Sequence, residues 1–103
     1  MTKVSVQETK EKIQAGKPLM IDFYADWCGP CKMLSPMVEA LSQEFEGRVE
    51  ILKINVDDAR EFALEYSVMS IPTLIGFKGG KILFQEVGFM PKSELKRMVE
   101  DLL

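Results

Sequence analysis

Residues 19–25 form a run that is apolar at every position except Asp22. Successive side chains of a strand point to opposite faces of a sheet, so this run predicts a strand covered on both faces. Such a strand lies inside a sheet that has helices above and below it. The run therefore favours an α/β fold, and it makes Asp22 a buried acid that needs an explanation.

Helical and strand patterns alternate on either side of this run. Apolar residues recur at helical spacing from Met33 to Phe45, which predicts a long helix that ends near Gly47 and contains Pro36. Gly79-Gly80, between residues 73–78 and 81–87, indicates a two-residue hairpin. We also expect a short strand at 3–6 and a strand at 49–55. One helix should run from the Ser5–Glu8 capping box to about Ala15, with Gly16 as its stop, and another from an Asp58–Glu61 capping box to about Tyr66. A last helix is expected at 92–103, with Leu95, Val99 and Leu102 on one face.

The predicted order of elements is β-α-β-α-β-α-β-β-α. Parallel crossovers in the first half and one hairpin in the second predict a mixed central β-sheet with helices on both faces. We expect strands 19–25 and 49–55 to be central neighbours in that sheet. With 103 residues and no repeats or linkers, the chain is expected to form a single domain, 1–103.

Composition narrows the class of protein. Apolar residues make up 47% of the chain, so a core can form without disulfides or a structural metal. The net charge is −3 with acids and bases interleaved, so we expect no nucleic-acid partner, and no apolar run approaches the roughly 20 residues of a membrane span. Since the N-terminus lacks signal-peptide features, we expect a cytoplasmic protein; the mature form of an exported protein with an added Met stays open.

The two cysteines, Cys28 and Cys31, allow four interpretations. A zinc site needs about four ligands; the chain has no histidine and no third cysteine, which leaves only a metal shared between two chains. A purely structural disulfide is weak, since closing so short a loop stabilises by only ~2 kcal/mol. Two inert buried thiols are the third interpretation, and a reversible dithiol is the fourth.

The position of the pair favours the reversible dithiol. Cys28 is expected at the N-terminus of the long helix and Cys31 one turn further in, so both sulfurs lie on one side. Unpaired N–H groups and the helix dipole favour a thiolate and lower the pKa of Cys28, whereas the deeper Cys31 suits a resolving thiol. Gly29 lets the backbone turn tightly, and Pro30 occupies the first turn without losing a needed N–H.

The stretch Trp27-Cys28-Gly29-Pro30-Cys31-Lys32 in this βαβ context resembles the active site of the thioredoxin family, and the resemblance extends over the whole chain. It implies the thioredoxin fold and a protein-disulfide reductase with Cys28 as nucleophile and Cys31 as resolving thiol. Gly29-Pro30 indicates net reduction, because oxidising relatives commonly carry His between the cysteines.

The resemblance also implies the partners. The family's usual electron donor is thioredoxin reductase, an NADPH-dependent flavoenzyme, and some organisms use a ferredoxin-linked donor. The chain has no Gly-rich nucleotide fingerprint, so we expect no bound cofactor, no metal, and electrons that come from NADPH through the reductase. Disulfide-containing client proteins are the other partners, and we expect a monomer.

Asp22 has two interpretations, since a buried carboxylate is costly without a partner. One is a salt bridge with Lys53 on the neighbouring strand. The other is that Asp22, beneath the helix of the cysteines, has a raised pKa and takes the proton of Cys31. The resemblance implies the second, because the family's matching Asp has this role and the matching Lys, here Lys53, modulates it.

The resemblance assigns a substrate surface as well. X-Pro bonds are cis in only about 5–6% of cases, so the residues alone favour a trans Ile71-Pro72 bond. The family instead has a cis proline facing the cysteines, and an extended client would pair with the Ile71 main chain. Trp27 is either core packing or a partly exposed shield of the disulfide. Gly88 is either a strand-end turn or part of the same apolar surface.

Several methionines are expected to fill the core or its edge: Met20, Met33, Met37 and Met98. Met69-Ser70 departs from the polar or basic residues that the family often has before Ile71, and an exposed Met69 would make the substrate surface more apolar. Two other functions stay open from the sequence. These are an oxidising or isomerising protein of the same fold, and a redox-incidental binding subunit of another enzyme.

Overall fold

The computed structural model describes residues 4–103, in which helices and strands alternate as the sequence predicts. The elements are α1 (Val6–Gln14), β1 (Leu19–Tyr24), α2 (Gly29–Glu44), β2 (Glu50–Asn55), α3 (Arg60–Glu65), β3 (Thr73–Lys78), β4 (Lys81–Val87) and α4 (Lys92–Glu100). None of the helices described in this range is long and apolar enough to cross a membrane.

The strands form one mixed sheet in the order β2-β1-β3-β4. β1 pairs with β2 in parallel and with β3 antiparallel, and β3 and β4 form the predicted hairpin. The predicted pairing of β1 with β2 is confirmed, but of these two strands only β1 is central. Within residues 4–103, β2 lies at the edge of the sheet, so its expected central position is wrong.

Helices cover both faces of the sheet, which confirms the predicted layers. One face packs against α2 and α4 through residues that include Met20, Leu34, Val38, Leu41, Leu95, Val99 and Leu102. The other face packs against α1 and α3 through residues that include Ile13, Ile21, Phe23, Leu52, Ile54, Phe62 and Ile75. β1 contributes to both clusters, as a run that is apolar on both parities requires.

The expected first strand at 3–6 is wrong for the residues that the structure describes; Lys3 lies outside them. Val4 and Ser5 have no regular structure, and α1 begins at Val6. The predicted capping box explains the difference: the Ser5 hydroxyl accepts from the Glu8 N–H at 3.0 Å, and Glu8 accepts from the Ser5 N–H at 3.3 Å. Ser5 therefore starts a helix at the place where the strand was expected.

Three smaller expectations are also corrected. The Asp58–Glu61 capping box does not form: the N-cap of α3 is Ala59, without a side-chain hydrogen bond, because the chain after β2 is held in a turn by the Asp58 N–H bond to the Asn55 carbonyl. α4 ends at Glu100, although Leu95, Val99 and Leu102 are all buried as predicted. Met33 is 64% exposed, because Leu34 and Val38 form the buried stripe of α2.

The topology brings three chain segments to one end of the sheet. The parallel strands β1 and β2 have their C-termini at this end, and the antiparallel β3 begins there. The segment from β1 to α2 carries the cysteines, the turn after β2 carries acidic residues, and the loop before β3 carries Ile71-Pro72. Residues far apart in the sequence therefore meet around the N-terminus of α2.

Candidate active site

The two cysteines lie at the first turn of α2 and form a disulfide. Cys28 is the N-cap residue, and its Cα lies 5.3 Å from that of Cys31, within the range that a disulfide requires. The expectation that both sulfurs lie on one side of the turn is confirmed. Cys28 is 5% exposed and Cys31 is 3% exposed, so Cys31 is only slightly the deeper of the two.

The helix terminus supplies a hydrogen-bond donor to the first sulfur. The Cys31 N–H lies 3.2 Å from Cys28 Sγ and donates to it. A thiolate at Cys28 would receive the same N–H and would face the positive end of the α2 dipole. Gly29 and Pro30 are exposed in this turn, and Pro30, at the N1/N2 position, has no helical N–H bond to lose.

The loop before β3 forms the other side of the site. The Ile71-Pro72 bond is cis, as the family resemblance implies. The Ile71 carbonyl oxygen lies 3.9 Å from Cys28 Sγ. Gly88, with a φ of 97°, donates its N–H to the Pro72 carbonyl at 2.8 Å. The structure thus places the Ile71 carbonyl beside the sulfur and joins Gly88 to the adjacent Pro72.

Trp27 is not a core residue: its side chain is 70% exposed. Its Nε1–H donates to Asp57 Oδ2 at 2.9 Å, and the Asp57 N–H donates to Asn55 Oδ1 at 2.9 Å. The turn after β2 therefore holds the indole at the surface beside the disulfide. Sequence reasoning missed Asp57. The available signal was its position just after β2, which is parallel to β1 and therefore ends on the same side of the sheet as the segment that carries Trp27.

We expect an Asp57→Ala variant to loosen the Trp27 side chain, because it removes the acceptor of the indole N–H, a bond worth about 1 kcal/mol. Trp27 is the only tryptophan, so time-resolved fluorescence anisotropy reports on this side chain alone. The fast component of the decay should grow. An Asp58→Ala variant is the matched control, since Asp58 is an exposed neighbour in the same turn. Equal decays for the two variants would contradict the prediction.

Asp22 is buried in β1, 1% exposed, and neither carboxylate oxygen has a hydrogen-bond partner among residues 4–103. Lys53 is its register partner on β2. The Lys53 ammonium, however, donates to the Ser35 hydroxyl and lies 4.6 Å from the centre of the Tyr24 ring. The interpretation of Asp22 as one half of a direct salt bridge is therefore wrong.

Burial has a large effect on this carboxyl group. Loss of hydration raises the pKa of Asp22 from 3.8 to about 7, while the positive charge of Lys53 acts in the opposite direction. The structure thus agrees with the expected raised pKa. An acid with a pKa near neutrality can accept and return a proton at physiological pH, which fits the expected proton transfer.

Sequence reasoning singled out Lys53 but not its partners Ser35 and Tyr24. Ser35 lies four residues after Cys31 in α2, a spacing that places both residues on one helix face. That spacing was the available signal. Met69, two residues before Ile71, is 81% exposed, so it does add apolar surface to this loop.

Comparisons with known proteins agree with this geometry. The family model described as Thioredoxin matches residues 1–101. The thioredoxin of Staphylococcus aureus is 44% identical over 100 residues, which cover 97% of this chain and 95% of the relative. Two solved structures have a TM-score of 0.86: mitochondrial thioredoxin 3 of Saccharomyces cerevisiae in its oxidized form (33% identity, 98% and 94% of the two chains) and a mutant thioredoxin of Halobacterium salinarum (34% identity, 97% and 87%). With the Cys28–Cys31 disulfide at the N-terminus of α2, these matches show that the chain belongs to the thioredoxin family of thiol–disulfide oxidoreductases.

Proposed function

We propose that this thiol–disulfide oxidoreductase reduces disulfides in client proteins by a two-step exchange. The thiolate of Cys28 attacks one sulfur of the client disulfide, that bond breaks, and the client's other sulfur leaves and takes up a proton. Cys31, once deprotonated, attacks the Cys28 sulfur, releases the client's second thiol and leaves the Cys28–Cys31 disulfide. The dithiol supplies both electrons; Cys31 supplies one proton and solvent the other, because Cys28 reacts as a thiolate.

The observation that carries the proposal is the position of the pair. The disulfide occupies the first turn of α2, where the Cys31 N–H donates to Cys28 Sγ. The same N–H favours the Cys28 thiolate, which is the attacking group in the first step. Gly29 and Pro30 keep this turn tight and exposed.

Asp22 is the proposed acceptor of the Cys31 proton, and Lys53 the residue that modulates it. Its carboxyl group is buried beneath α2 without a hydrogen-bond partner in the described chain, and its pKa of about 7 suits a proton acceptor that works near neutrality. A buried carboxylate gains by taking a proton, since the neutral acid is the form that tolerates a low dielectric.

The loop beside the sulfur is the proposed client-binding edge. An extended client segment that pairs with the Ile71 main chain would bring its cysteine next to Cys28, because the Ile71 carbonyl lies 3.9 Å from Cys28 Sγ. Trp27, Pro72 and Gly88 complete the contact surface. This edge needs no bound cofactor.

The electron supply is proposed to be NADPH through a thioredoxin reductase, and the place of action the cytoplasm. The chain would work as a monomer in one domain, with the reductase and disulfide-containing proteins as partners and without nucleic acid. The family membership supports this assignment, and a ferredoxin-linked donor remains the alternative.

An insulin-disulfide reduction assay tests the proposal. With dithiothreitol, and then with NADPH plus a thioredoxin reductase, the wild type should accelerate the precipitation of reduced insulin. A protein with both Cys28→Ser and Cys31→Ser is the control, and it should not exceed the rate without protein. A wild type no faster than this control in both formats would overturn the reductase function. A wild type that is active with dithiothreitol but inactive with NADPH plus the reductase would overturn the proposed donor.

A further inference from the structure

Three side chains meet between β1, β2 and α2. Asp22 and Lys53 are direct neighbours in the parallel register of β1 and β2. Ser35 reaches the same place from α2, one helical turn beyond Cys31. The Lys53 ammonium donates to the Ser35 hydroxyl, while both oxygens of Asp22 lack a hydrogen-bond partner in residues 4–103.

This arrangement reverses the usual preference of an ammonium group. A hydrogen bond between two charged groups is roughly twice as strong as a neutral one, so a lysine next to an unpartnered carboxylate is expected to bind it. The Lys53 ammonium instead lies 4.6 Å from the centre of the Tyr24 ring and donates a hydrogen bond to the Ser35 hydroxyl. The ammonium thus has its two contacts with the half-buried Ser35 and with the ring, and neither contact is with the acid.

We propose that Ser35 is a positioning residue that holds the Lys53 ammonium off the Asp22 carboxyl group and so keeps that group free to exchange a proton with Cys31. This inference rests on the proposed role of Asp22 in proton transfer. Without the Ser35 hydroxyl, Lys53 has one acceptor fewer, and its flexible four-carbon stem allows it to turn to the carboxylate. The ion pair would then stabilise the charged form of Asp22.

Few other ionisable groups face Asp22 from the elements packed around it. β1 contributes Tyr24, and α2 contributes the two cysteines, which do not titrate while they form the disulfide. On the β3 side the register partner is Leu74, which has no charge, and the next residue in that row is Glu86, exposed on β4. Lys53 is therefore the charged group whose position affects the pKa of Asp22.

The test is a carboxyl ¹³C NMR titration of Asp22 in the oxidised protein, in which the cysteines are silent. A Ser35→Ala variant should lower the midpoint of the Asp22 titration by about one pH unit, the lower end of the effect of an opposite charge within a few ångströms. A Ser35→Thr variant keeps the hydroxyl and should titrate as the wild type does. An unchanged or raised midpoint in Ser35→Ala would overturn the proposal.

A second background separates positioning from a direct effect of the hydroxyl on Asp22. In a Lys53→Met protein, Ser35→Ala should leave the midpoint unchanged, because the group that Ser35 holds is gone; a persisting fall would overturn the proposal. The pH profile of mixed-disulfide resolution then tests the proton role separately. If Ser35→Ala moves the Asp22 titration but not this profile, Ser35 positions Lys53 as proposed and the proton role of Asp22 fails.

Discussion

A Cys31→Ser variant is expected to stop after the first step and to hold its client in a stable mixed disulfide through Cys28. The serine hydroxyl cannot displace a sulfur from the Cys28 disulfide, so the client leaves only when an external thiol attacks. Client turnover should fall by roughly a hundredfold or more, which corresponds to a barrier higher by about 3 kcal/mol. Non-reducing electrophoresis and mass spectrometry of the reaction with an oxidised client measure the adduct directly.

The matched control is Cys28→Ser, which keeps the other thiol of the same turn. Cys28 Sγ is the sulfur that lies beside the Ile71 carbonyl and accepts the Cys31 N–H, so only Cys28 has both the proposed client edge and the thiolate-stabilising donor. The adduct should form rapidly with Cys31→Ser and slowly with Cys28→Ser. Because the two side chains are almost equally buried, a reversed order would show that position at the helix terminus does not select the nucleophile.

An Asp22→Asn variant is expected to lose a large part of the pH dependence of folding stability. Burial raises the pKa of Asp22 from 3.8 to about 7 in the folded protein. Between these values the folded state keeps a proton that the unfolded chain has lost, so the stability of the wild type falls as pH rises and levels off above about pH 7. The whole effect is ~4 kcal/mol, of which ~3 kcal/mol falls between pH 5 and pH 8.

Urea unfolding of the oxidised proteins at pH 5 and pH 8 measures this difference. The chain has no histidine, so no imidazole titrates in the window. Asp22→Asn should lose ~3 kcal/mol less stability than the wild type on going from pH 5 to pH 8. Asp26→Asn removes an exposed acid nearby and should behave like the wild type. Parallel declines for Asp22→Asn and the wild type would contradict a neutral, buried acid.

The sequence was sufficient for the features that depend on local pattern. The run at 19–25 predicted a strand covered on both faces, the Gly79-Gly80 turn predicted the hairpin, and the cysteine spacing predicted a pair on one side of a helix terminus. The cis Ile71-Pro72 bond came from family resemblance, because the bond itself carries no sequence signal beyond the proline.

The features that sequence reasoning missed depend on tertiary distances. Asp57 binds Trp27 across 30 positions, and Ser35 meets Lys53 across 18, so neither pair has a local period. The strand expected at 3–6 competed with the Ser5 capping box for the same residues, and the cap was the stronger local signal. Propensity alone does not decide between a strand and a helix start at these residues, since they can adopt only one of the two structures.

The bond between the Gly88 N–H and the Pro72 carbonyl has a consequence for which disulfides the chain can reduce. It ties the loop beside Cys28 to the end of β4, and the cysteines are fixed on the first turn of a packed helix. If a client docks at this proposed edge, the protein loses little conformational entropy, so the ordering cost falls on the client segment, which must extend to reach the sulfur. We therefore expect disulfides in flexible or locally opened segments to be reduced faster than those inside folded cores.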